Sequence, residues 1–125
     1  MAPSARRRLG TRTERIAAWR LFWRGYRFLE RNWTCSRGEV DLIARHRGKL
    51  VFIEVKSRTG DGRRPEDQVG YAKQRRLCRL ADRYRREKQL WHLGVRFDVV
   101  AIVLDARGRV RDFRLWVDAF EYIDP

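Results

Sequence analysis

Groups that usually build metal–thiolate sites are scarce in this sequence. Its 125 residues hold only two cysteines, Cys35 and Cys78, and two histidines, His46 and His92. Neither cysteine belongs to a CxxC pair or has a histidine close by in sequence. They read as buried or bystander thiols in a reducing compartment, so neither a disulfide framework nor a zinc site is expected. No apolar run is long enough to span a bilayer, and the stretch "MAPSARRRLG" lacks the apolar segment of a secretory signal. Lipidation motifs are absent too. The expectation is a cytoplasmic protein with no membrane partner.

Acidic residues are the other shortage. Sixteen Asp and Glu stand against thirty Lys and Arg, a formal charge of +14. Such an excess on a small surface favours a polyanion, through release of counterions from its phosphates. Nucleic acid is the expected partner. Apolar residues make up 43% of the chain, enough for a core, and no repeat, low-complexity tract or linker divides it. Residues 1–10, with Arg6, Arg7 and Arg8, read as a flexible basic arm, leaving 11–125 as a single domain.

Hydrophobic periodicity predicts the elements. Thr13 is placed as an N-cap with Glu14 in the first turn, and Ala17, Ala18, Leu21 and Phe22 recur at helical spacing until Gly25. Trp19 and Trp23, one turn apart beside that stripe, are expected in the core. Strands are predicted over 26–33, 39–44 and 50–56, the last two joined by a hairpin through "RHRGK". A glycine-rich loop, 59–68, precedes a helix over 69–90 whose apolar stripe is Leu77, Leu80, Ala81 and Tyr84. The remaining face of that helix is heavily basic. Residues 96–104 are almost continuously apolar, which suits a central strand covered on both faces, and 112–117 suits an edge strand. The order helix, three strands, helix, one or two strands describes an α/β domain with helices packed on a mixed sheet.

Four charged residues interrupt the strand-like runs: Glu39, Asp41, Glu54 and Lys56. Alternation puts Glu54 and Lys56 on one face of their strand, with Leu50 and Phe52 behind them. A hairpin closing at "RHRGK" brings Asp41 to the far part of that strand. Two neighbouring carboxylates disfavour each other's ionised form but suit a divalent cation with oxygen ligands. A lysine two residues from the glutamate can hold a water or a phosphate. The bland alternative is a surface Glu–Lys ion pair. The upstream aspartate, the apolar strands and the net charge favour a phosphodiester-cleaving site. Asp98, inside an apolar strand, reads as the structural partner of an arginine.

The stretches "GEVDLIA", "LVFIEVKSR", "KQRRL" and "RFDVVAI" resemble the bacterial YraN family. That likeness, from about Thr13 to Phe120, implies a restriction-endonuclease-like fold and the PD-(D/E)xK nuclease motif of a superfamily that includes Holliday-junction resolvases. Carried onto this chain, it implies Asp41, Glu54 and Lys56 as catalytic residues. Asp41, Glu54, the Val55 carbonyl and Glu14 would hold Mg²⁺ or Mn²⁺. Val40 stands where the motif's proline would be, and the 59–68 loop lacks the Phe-Gly pair of relatives. Read from the residues alone, Glu14 is an acid favoured by a helix dipole. Lys73, on the sheet-facing side of its helix, either reaches the site or snorkels to solvent.

The expectation is therefore a metal-dependent endonuclease-like protein for structured or branched DNA, with Lys73, Arg75, Arg76 and Arg79 on the phosphate backbone. A non-catalytic DNA- or RNA-binding protein with a vestigial site stays open as the alternative, and a partner-binding scaffold is the third reading. Junction resolution generally wants a two-fold pair, which leaves room for a homodimer.

Overall fold

The computed structural model describes residues 5–59 and 69–123, with side chains described from Arg12 onward. Its elements, in chain order, are α1 (Ala5–Phe22), β1 (Arg27–Cys35), β2 (Gly38–His46), β3 (Lys49–Thr59), α2 (Tyr71–Lys88), β4 (Gly94–Leu104) and β5 (Val110–Phe120). The strands form one five-stranded sheet in sequence order. Only β3 and β4 run parallel; the other pairs are antiparallel. A parallel pair needs a crossover, and α2 supplies it.

Alternation along β3 divides the molecule into layers. Leu50 and Phe52 point to one side, where they meet Ile43, Leu77, Leu80, Tyr84, Phe97 and Val99 beneath α2. Val51 and Ile53 point the other way, to Leu42, Ala44, Val100 and Ile102 beneath Ala17 and Leu21 of α1. With a helix on each face, β4 is buried at every position from Arg96 to Leu104. The β2–β3 hairpin turns on Arg47 (φ 52°) and Gly48 (φ 78°), the doubly left-handed turn whose twist matches the strands. Both cysteines are free thiols. No helix among the described residues is long and apolar enough to cross a membrane.

Two readings of the first helix change. It begins at Ala5, so residues 5–10, expected in a flexible arm, form its first turns; residues 1–4 lie outside the described residues. Thr13 and Glu14 are consequently interior helix residues, 5% and 7% exposed, not a cap and a first-turn acid. Trp19 and Trp23, expected in the core, are 64% and 69% exposed, and Phe22 is 56% exposed. The inward arc is occupied by Glu14, Ala17 and Leu21, and at about 100° per residue Trp19 falls on the opposite side. The expected glycine-rich loop lies, apart from Thr59, outside the described residues.

A buried polar network pins the end of α1 to the sheet. Arg96 donates twice to Asp98, at 2.9 and 2.8 Å, and once to Nδ1 of His46 at 2.9 Å. The Tyr26 hydroxyl donates to Asp98 at 2.6 Å, and its ring stacks on His46 with centroids 4.0 Å apart. Asp98 has the arginine partner expected of it. A buried pair satisfied on every side fixes the chain leaving α1, and so fixes where Glu14 sits.

Candidate active site

The site forms where β2 and β3 part. Their ladder runs from His46↔Lys49 to Leu42↔Ile53 and stops there. Asp41 and Glu54 would be the next pair. Instead Asp41 accepts a hydrogen bond from the Val55 backbone N–H at 2.8 Å, its side chain replacing the missing ladder bond. Val40 packs into the α2-side core together with Ile43, so strict alternation fails across Asp41. The parting of the strands leaves room for the carboxylates.

Glu14 comes in from α1. It is buried, with Asn32 and Asp41 as its polar neighbours. Its Oε2 is buried without a hydrogen-bond partner among the described residues. Burial raises its carboxyl above the usual range, and the nearby charge of Glu39 adds to this. Burial, followed by the charge of Glu54, pushes Asp41 up to about 8, with Glu14 contributing further. A carboxylate pair of this kind shares a proton at neutral pH or takes up another positive charge in its place.

Glu54 is buried on the α2 side of β3 and pairs with Lys73, one of the first residues of α2. Of the two positions open to Lys73 from the sequence, reaching the site or snorkelling to solvent, the first is the one observed. Lys56 is half-buried two residues on, on the same face of β3 as Glu54. Among the described residues no three His, Cys, Asp or Glu side chains are grouped closely enough to hold a metal ion as they stand. The donor chemistry nevertheless fits a hard divalent cation. Glu14 and Asp41 are close enough to perturb one another, one Glu14 oxygen has no partner among the described residues, and the lysine paired with Glu54 is itself 43% exposed.

The basic residues separate into groups. Lys73 faces the carboxylates. Arg75 lies over the Tyr71 ring, 6.0 Å from its centroid. Arg76 and Arg79 line a cleft between α2 and the β1–β2 turn, together with Arg37. Asn32 escaped the sequence reading. It lies between the pairs Arg31↔Leu42 and Trp33↔Val40, opposite Asp41, with a left-handed φ of 56°. Asparagine tolerates that conformation, but nothing local marks its contact with a helix.

Residues 13–102 match the model of the uncharacterised protein family UPF0102. The chain belongs to that family. This is the YraN family that the motifs resemble. The UPF0102 protein of Syntrophus aciditrophicus is 43% identical over 116 residues, which is 91% of this chain and 89% of that one. The Moorella thermoacetica protein is 41% identical over 116 residues, covering 92% and 97% of the two chains. The Dictyoglomus turgidum protein is 40% identical over 98 residues, covering 78% and 83%. The matched segment contains Glu14, Asp41, Glu54, Lys56 and Lys73, so the UPF0102 domain and the carboxylate cluster coincide.

Proposed function

We propose that this UPF0102 protein is a restriction-endonuclease-like enzyme that hydrolyses phosphodiester bonds in structured or branched DNA with Mg²⁺ or Mn²⁺. One observation carries the reading: Glu14, buried in the interior of α1, meets Asp41 where β2 and β3 part, next to Glu54. An acid there has no use as a cap and burdens the fold, so its place is explained by a cation. The element order, a helix, a three-stranded meander, a crossover helix and a parallel strand, supports the restriction-endonuclease-like architecture.

In this reading Asp41, Glu54, Glu14 and the Val55 carbonyl hold the cation, which when bound supplies Lewis acidity towards a phosphate oxygen. Lys56 orients the attacking water or stabilises the charge that builds on the phosphate. Lys73 neutralises Glu54, and with a cation bound beside that carboxylate it would be available to a phosphate. The test is cleavage of duplex, flap and four-way-junction DNA with Mg²⁺ or Mn²⁺ against chelator. Cutting that needs the cation supports the reading; none on any of these DNAs rejects it.

The Lys73–Glu54 pair favours a second reading, in which the protein binds nucleic acid without cutting it. That pair already neutralises one acid, as a vestigial site would. DNA binding unaffected by divalent cations, with no cleavage, selects this alternative.

A further inference from the structure

The β1–β2 turn and α2 bound a cleft of about 590 Å³. Five arginines line it, Arg37 from the turn and Arg76, Arg79, Arg83 and Arg86 from the helix, against two acids, Asp82 and Glu87. Both acids are engaged: Asp82 accepts from Arg85 at 2.7 Å and Tyr122 at 2.6 Å, and Glu87 pairs with Arg83 at 3.1 Å. Arg83 also reaches Ser36 in the turn at 3.3 Å. The guanidinium groups of Arg37, Arg76, Arg79 and Arg86 have no hydrogen bond or ion pair among the described residues. So dense a cluster of one sign is unfavourable until an anion of several charges enters it.

Guanidinium forks suit phosphate oxygens. The one apolar lining residue is Leu80, so the described walls offer no flat ring to a base. Such a cleft reads phosphates and not sequence. The helix that forms one wall of the cleft also carries Lys73 to the carboxylate site. Lys73 at Glu54 and Arg76 in the cleft are nearly one turn apart, and from Lys73 to Arg86 the helix rises about 20 Å. That length matches about six nucleotides at roughly 3.4 Å each.

We infer that this cleft clamps the sugar–phosphate backbone of a strand running along α2 from the carboxylate site. The substrate then extends about six base pairs beyond the cut on that side. The clamp is independent of the chemistry; only its relation to the cut rests on the proposed function.

The experiment is a salt titration of binding to labelled duplexes, in chelator so that nothing is cut. It compares Arg37→Ala/Arg86→Ala with Arg107→Ala/Arg111→Ala, which removes equal charge at and beside the β4–β5 turn. The cleft variant should lose about two phosphate contacts, lowering the slope of log affinity on log salt by about 1.8 and affinity at least tenfold. The control should keep its slope, and duplexes shorter than about six base pairs should not distinguish the proteins. Equal losses in both variants would overturn the clamp, reducing it to net charge. So would displacement of duplex by ATP at matched ionic strength, which would make the cleft a nucleotide pocket. A protein that clamps but never cuts sinks the catalytic reading alone; cation-dependent cutting with an unchanged slope in the cleft variant sinks the clamp alone.

Discussion

Replacing Asp41 by Asn should make the metal-free protein more stable, the reverse of the usual result for a hydrogen-bonded carboxylate. Burial first, then the charge of Glu54, raises Asp41 from 3.8 to about 8. A folded-state pKa above the unfolded one means that the native chain binds the extra proton between those values. The stability Asp41 contributes is complete below its unfolded pKa and is lost as pH rises through about 8. At about 1.4 kcal/mol per unit the ceiling is near 6 kcal/mol, and relaxation and solvent at the partly open site reduce it to about 2 kcal/mol. Asparagine keeps an oxygen for the Val55 N–H, so little is lost in exchange. Urea unfolding in chelator at about pH 5, 7 and 9 measures the effect, and the gap between variant and wild type should widen with pH. Adding Mn²⁺ at the highest pH should stabilise the wild type and not the variant. An Asn variant that is less stable, or a gap independent of pH, would refute the argument that these acids crowd one another.

Other substitutions test separate parts of the structure. Glu14→Gln should weaken Mn²⁺ binding, followed by water relaxation, by no less than the 10–100-fold or so typical of groups one shell further from a metal; unchanged binding would remove Glu14 from the ligand set. Asp98→Asn should cost about 3–5 kcal/mol in denaturant unfolding, because it leaves Arg96 buried without its charge partner. A cost below about 1 kcal/mol would show that Tyr26 and His46 suffice. Trp19→Ala should change stability by no more than about 0.5 kcal/mol, whereas Leu21→Ala, fully buried on the same helix, should cost about 2–5 kcal/mol; similar values would mean that the helix faces are misassigned.

The layering was legible in the sequence because β3 alternates cleanly, Leu50 and Phe52 against Val51 and Ile53, and because a chain this apolar at 96–104 must lie between two covers. The orientation of α1 was not. Its segment Ile16–Trp23 is apolar almost all round, so periodicity could not choose between Leu21 and the tryptophans. Nor did its start show, since the run Arg6, Arg7, Arg8 followed by Gly10, a poor helix former, reads as a flexible basic arm rather than a helix interior. Of the site, Asp41, Glu54 and Lys56 stood out as charges in strands. Glu14 did not, because its burial depends on how α1 crosses the sheet, and its residue type suits a first turn equally well. The partners contributed by the α2 side, Lys73 to Glu54 and the arginine wall facing Arg37, exist only after the crossover has folded.

The central claim is that Lys56 serves a chemical step at the carboxylate cluster, and the most direct measurement pairs two assays on one variant. Cleavage of a labelled four-way junction with Mn²⁺, and binding of the same junction in chelator, are compared for wild type and Lys56→Ala. The account predicts cation-dependent cutting that the variant loses by at least about a hundredfold, with binding weakened less than about threefold, because one phosphate contact among many is removed. Cutting by Lys56→Ala at the wild-type rate, from protein freed of contaminating nuclease, would contradict it.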